Sequence, residues 1–172
     1  LGTRSGVNTL TAAISSVPQV TFTVSASADA PFAISRASGD QQSAAAGSAL
    51  SRPLEVSLVD LHGNPVVGAN VTFAADANAG TMSPSIVPTN SAGTAASTWT
   101  LGNAIGSQRA SATHAHLTTR FAATVVTATA TRLTLANGNN QSVVAGSLLA
   151  APLTVAAEDN SGKPVSGVTV AW

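Results

Sequence analysis

The side chains able to hold a metal or move a proton are few: three histidines, seven acids and no cysteine among 172 residues. His114-Ala115-His116 is the densest pairing, and residues two apart on a strand share a face, so both imidazoles could meet one ion. An internal repeat places Ile14 and Ser16 opposite the two histidines, and Ser161 opposite His62. A ligand pair intrinsic to the fold would not vanish from its neighbour. Asp60 and Asp159 head two similar stretches and could serve as cation ligands near a domain junction, but neither begins the dense run of oxygen ligands a calcium loop needs.

Hydrolysis requires a nucleophile beside a base and an orienting acid. Serine is abundant, yet no G-x-S-x-G elbow occurs, and carboxylate pairs for glycoside chemistry would have to come from acids that mostly sit in turns. A phosphate cradle of the G-x-x-x-x-G-K type is absent as well. The residues therefore lead to the expectation of no enzyme, with no catalytic, cofactor-binding or metal site.

Seven basic residues balance seven acidic ones, and charged residues make up only 8% of the chain. Scattered positive charge does not make the basic footprint that nucleic acid requires. A single lysine, Lys163, excludes a polybasic membrane surface, and no run of 18 apolar residues could insert into a bilayer. Hydrophobic content of 44% still suffices for a core, built largely from Ala and Val. The chain starts at Leu1 without a leader pattern, which leads to the expectation of an excerpt from a longer protein.

What organises the sequence is a repeat. D-L-H-G-N-P-V-V-G-A-N-V-T-F at Asp60–Phe73 returns as D-N-S-G-K-P-V-S-G-V-T-V-A-W at Asp159–Trp172, an offset of 99. Asp60, Gly63, Pro65 and Gly68 recur as Asp159, Gly162, Pro164 and Gly167, and Phe73 meets Trp172. Phe22–Phe73 lies over Phe121–Trp172 without a gap, with 18 of 52 positions identical, including Gly39 with Gly138 and Gln42 with Gln141. Leu1–Ile14 matches Leu101–His114 at an offset of 100. The expected organisation is residues 1–30 as the last strands of one repeat, 31–130 as a complete repeat and 131–172 as the first strands of a third.

Each motif then finds an element to hold it. Asp-x-x-Gly before Pro is turn chemistry, since the carboxylate can bond backbone two residues on, Gly accepts positive φ and Pro presets φ. Strands are expected at Phe32–Arg36, Ala44–Ala46, Leu54–Asp60, Asn70–Ala75, Gly93–Leu101, Gln108–Ala115 and Thr118–Val126, from alternating apolar and polar residues. The stretch 76–90, with Pro84 and Pro88, is expected to be irregular around one short strand at Thr81–Ser83. Seven or eight strands in about 100 residues predict an all-β immunoglobulin-like sandwich. Trp99 is the expected central filler, its indole N–H requiring a carbonyl, and Phe22, Phe73, Phe121 and Trp172 are also read as core.

D-x-x-G-x-P-V-x-G-x-x-V-x-F/W, the segment T-N-S-A-G-T-A-A-S-T-W-T-L-G at Thr89–Gly102 and the alternating strand at Ala110–Thr113 together resemble the bacterial immunoglobulin-like domain, group 1. That is the repeat of invasin- and intimin-type surface proteins. The resemblance implies tandem β-sandwiches on the cell surface or beyond it, serving as a structural stalk that carries a distal part. Its partners would be neighbouring repeats of the same protein, with lateral or head-to-tail self-association as a further mode. The sequence also leaves open a carbohydrate- or protein-binding module, or a filament subunit joined by strand pairing between molecules. Unlike antibody domains, the chain has neither Cys nor Tyr. An isopeptide crosslink would have to use Lys163, which lies in a turn.

Overall fold

The computed structural model describes residues 2–160 and 162–172. The described residues form thirteen strands and no helix, in two compact units, Leu1–Val126 and Thr127–Trp172.

The first unit opens with a hairpin, β1 (Gly6–Ala12) and β2 (Val20–Ala26), paired antiparallel from Gly6 opposite Ala26 to Ala12 opposite Val20. Nine strands follow: β3 (Ala33–Ser38), β4 (Gln42–Ala45), β5 (Leu54–Val59), β6 (Asn70–Ala75), β7 (Thr81–Ser83), β8 (Ile86–Pro88), β9 (Thr94–Thr100), β10 (Gly106–His114) and β11 (Leu117–Val126). They make a four-stranded sheet in the order β3-β5-β9-β7 and a five-stranded sheet in the order β4-β11-β10-β6-β8. The chain crosses between sheets after β3, and β4 then lies parallel to β11 while the pairs built from β5, β6, β7, β8, β9 and β10 are antiparallel. This is the strand order of an immunoglobulin-like sandwich.

Period-2 patterning explains which side chains meet between the sheets. Leu54, Val56 and Leu58 on β5 are buried while Glu55, Ser57 and Val59 are half-buried. Val71 and Phe73 on β6, Ala95, Ser97 and Trp99 on β9, Ala110 and Ala112 on β10, and Phe121, Ala123 and Val125 on β11 face inward in the same way. Small residues opposite large ones let the layers interlock around Trp99, which is fully buried and donates its indole N–H to Ala79 O at 2.7 Å. Ser97, the buried polar residue in this row, donates to Pro84 O at 2.7 Å. Among the described residues no buried side-chain nitrogen or oxygen lacks a partner.

Two expectations change. The sandwich has nine strands, because 76–90 holds both β7 and β8, one for each sheet. Pro88 does not prevent β8 from forming, since that strand is the outer edge of its sheet and Pro88 is its last residue, opposite Asn70. Two exposed aromatics also depart from the reading as core: Phe22 on β2 is 55% exposed and Trp172 is 80% exposed. Their counterparts by repeat, Phe121 and Phe73, are buried because two sheets close over them, whereas β1-β2 is a two-stranded sheet by itself.

The second unit contains β12 (Arg132–Asn137) and β13 (Thr154–Glu158), an antiparallel pair with a register shift between Leu135 and Asn137. The pair β3-β5 has the same irregularity between Arg36 and Ser38, 99 positions earlier.

Candidate functional site

The turn from β5 to β6 is where the repeated motif, the most buried carboxylate and the ends of the first hairpin converge. Asp60 is 2% exposed and closes the turn on itself. Its N–H donates to Asn64 O at 3.0 Å, and Gly63 N–H donates to Asp60 O at 3.1 Å. Its Oδ1 accepts the N–H groups of His62 and Asn64, each at 2.9 Å. Oδ2 accepts Asn64 Nδ2 at 2.8 Å and the Asp29 N–H at 3.0 Å. These donors, led by the Asn64 amide, hold the carboxyl well below the usual carboxylate range despite the opposing cost of burial.

Four N–H donors occupy the four lone-pair directions of that carboxylate. The alternative of Asp60 as a cation ligand is therefore at odds with the geometry, since the oxygens are already committed to backbone and amide. The rest of the motif is accounted for by packing. Pro65 lies against Gly93, where an added Cβ would come within 2.8 Å of Pro65 Cβ and of Leu58 O, on a backbone with φ of +72°. Thr89 is buried and locks the second half of the turn, donating from Oγ1 to Val66 O at 2.7 Å and accepting the Ala69 N–H at 3.0 Å. Gly68 N–H adds a bond to Thr89 O at 2.8 Å.

Asn64 faces beyond the turn. Its Nδ2 donates to Thr3 O at 2.7 Å and its Oδ1 accepts the Ser5 N–H at 2.8 Å. With the Asp29 bond to Asp60, both ends of the β1-β2 hairpin reach this turn. Beside it lies a cleft of about 280 Å³ lined by Ser5, Gly6, Ala26, Pro65, Val67 and Ser91 among others, small side chains without a charged group.

The second copy of the turn repeats the local bonds. Asp159 N–H donates to Lys163 O at 2.9 Å, Gly162 N–H to Asp159 O at 3.0 Å, and Lys163 N–H to Asp159 Oδ1 at 2.9 Å. Val165 N–H reaches Ala157 O at 2.8 Å, as Val66 N–H reaches Leu58 O at 3.0 Å. Pro164 bridges Glu158 as Pro65 bridges Val59. Gly167 is exposed, as Gly68 is, and Ser161 lies outside the described residues.

A second repeated device was visible in the sequence only as an identity. Gln42 Nε2 donates to Gly39 O at 2.7 Å and Arg52 O at 2.8 Å, while Oε1 accepts the Arg52 N–H at 2.9 Å. Gln141 makes the same three bonds, to Gly138 O at 2.9 Å and to Ala151 O and N–H at 2.8 Å each. Asn64, Thr89 and Asp29 carried no such signal, because their bonds join groups far apart in the chain.

The histidines do not assemble. His114 ends β10 and His116 lies in the two-residue turn to β11, with Ala115 between them at φ of +49°, so the two imidazoles do not stand on one strand face. His114 Nδ1 is 2.8 Å from Asn70 O. His62 and Lys163 are exposed. Among the described residues no group of three or more His, Cys, Asp or Glu could hold a metal, and no helix is long and apolar enough to cross a membrane.

No family model matches the chain, and no curated protein matches it. Solved structures similar at low identity include the following three. The S-layer protein rSbsC(31-844) superimposes with a TM-score of 0.47 and 20% identity, over 96% of this chain and 21% of that one. Domains 4-9 of the surface layer protein SbsC give a TM-score of 0.46 and 21% identity, over 96% of this chain and 26% of theirs. The D00-D0 domain of Intimin gives 0.44 and 18%, over 71% and 65%. The chain thus spans about a fifth of the first of these, 21% of its length.

Proposed function

We propose that the chain is a structural spacer of a bacterial extracellular fibre, sheath or adhesin stalk, built of tandem immunoglobulin-like sandwiches with a repeat of 99 residues and located at the cell surface or outside the cell. In this reading residues 1–30 end one repeat, 31–130 make a second and 131–172 begin a third. One observation carries it: the bonds of the Asp60 turn and of the Gln42 node recur 99 positions later at Asp159 and Gln141. Residues kept between copies, Asp60 with Asp159 included, are spent on turn and loop bonds, and the three histidines are not kept. In this reading the chain does mechanical work without catalysis, and its partners are neighbouring repeats.

Apolar faces on the partial sheets favour a second reading. Leu10, Phe22 and Val24 on the hairpin are exposed, yet they are the counterparts of buried Ala110, Phe121 and Ala123. A sheet of the β3-β5-β9-β7 kind would cover them, from a preceding repeat or, in a filament subunit, from another molecule.

Electron microscopy of the native assembly, with intact subunit mass from the same sample, separates the two. Slender beaded rods with a subunit mass of many repeats are expected. A subunit close to 16.9 kDa packed into an ordered filament would overturn the spacer reading in favour of intermolecular pairing.

A further inference from the structure

We infer that the turn at residues 60–64 is a docking socket for main chain, by which one repeat grips the repeat before it and sets the angle between them. The contacts that leave the turn go to Thr3 O, Ser5 N–H and Asp29 N–H, all backbone groups. Thr3 and Ser5 immediately precede β1, and Asp29 follows β2, so the socket holds both ends of one hairpin. By repeat, that hairpin corresponds to β10-β11, and Gly6 and Gly106 open the two hairpins with φ of +105° and +106°. The inference rests on the reading of β1-β2 as the closing hairpin of a preceding repeat.

The chemistry of residue 64 is specific. A primary amide offers a donor and an acceptor in one plane, and Asn64 spends one on Thr3 O and the other on Ser5 N–H, taking the place of a peptide group in a neighbouring strand. Its remaining donor goes to Asp60 Oδ2, which fixes its orientation, and the residue is buried. Asp60 supplies the third grip through Asp29. Because the socket touches only N–H and C=O groups, it tolerates any residue that keeps its N–H on the segment it holds, which suits repeats whose sequences have diverged. It also accounts for the acceptance of Asn at a position where the other copy carries Lys163. Lysine has three donors and no acceptor, so a repeat of that kind cannot accept the N–H that Asn64 accepts.

Amide hydrogen exchange on the full chain tests this. In the wild type the Ser5 and Asp29 amides should be protected, and Asn64→Ala should speed their exchange by about tenfold or more while the Leu50 and Leu58 amides in the sandwich stay unchanged. Ser5→Pro removes the donor from outside the sandwich and should speed Asp29 in the same way, so the test survives if Asn64→Ala folds poorly. Unprotected Ser5 and Asp29 in the wild type, no change in either variant, or equal acceleration at Leu50 and Leu58 would overturn the socket. Long rods by microscopy together with any of these results would leave the spacer reading standing and remove only the grip.

Discussion

Asp60 is a carboxylate used as a structural acceptor. Because its folded pKa lies below the ordinary value of 3.8, the unfolded chain binds the proton more readily between those values. Stability from this group is therefore complete above the unfolded pKa and is lost as pH falls through the acid range. Chemical denaturation of the wild type should show a midpoint that drops as pH is lowered from 5 towards 2, whereas Asp60→Asn, whose side chain cannot ionise, should begin with a lower midpoint and a flatter pH profile. A carboxyl-carbon NMR titration of Asn64→Ala should show Asp60 moving up towards the usual range, since Asn64 is its principal donor. Trp99 makes the opposite kind of contribution, apolar volume with one polar demand. Trp99→Ala should cost about 3–5 kcal/mol by denaturant unfolding, from the cavity and the orphaned Ala79 carbonyl together. At Gly93, alanine would meet Leu58 O and Pro65 at a positive φ, and Gly93→Ala should cost about 1–3 kcal/mol.

Elements in this protein are joined by side chains that imitate backbone. Gln42 opens β4 and bonds both Gly39 and Arg52, so it closes the excursion between β4 and β5 where no ladder runs. Replacing it with alanine leaves the Arg52 N–H and two carbonyls without their partner. Gln42→Ala should lower the unfolding free energy by about 1–3 kcal/mol. Strand β8 illustrates what local patterning misses, whereas β7 lies at Thr81–Ser83, where a short strand was expected. Three residues are too few to show period-2 alternation, and β8 sits on a sheet edge where Pro is tolerated, so only pairing with β6 defines it. Strand β10 is the converse case: it was readable at Gln108–Ala115 from the alternation at Ala110–Thr113, and in the structure it runs Gly106–His114 with Gln108, Ala110 and Ala112 buried.

At the scale of the whole molecule, the described residues divide into a closed sandwich and partial sheets. A two-stranded sheet is marginal by itself, since its inner face stays wet. Hydrogen exchange should therefore find the amides of β12 and β13 far less protected than those of β5 and β9, and equal protection would mean that the β12-β13 face is covered in solution. The sequence alone determined the all-β class, the likeness of two stretches lying 99 positions apart, the turn at Asp60 and the central place of Trp99, because period-2 alternation, Gly and Pro punctuation and self-similarity are local or self-referential signals. Tertiary structure alone decided that the Asp60 carboxylate is filled by four donors, that Asn64 reaches Thr3 and Ser5, that His114 and His116 part at a turn, and that Phe22 and Trp172 are exposed. The Asp29 donor, the reach of Asn64 and the two exposed aromatics depend on where backbone groups or sheets distant in the chain come to lie, and the parting of the histidines on where a turn falls; no pattern of residue types carries that information.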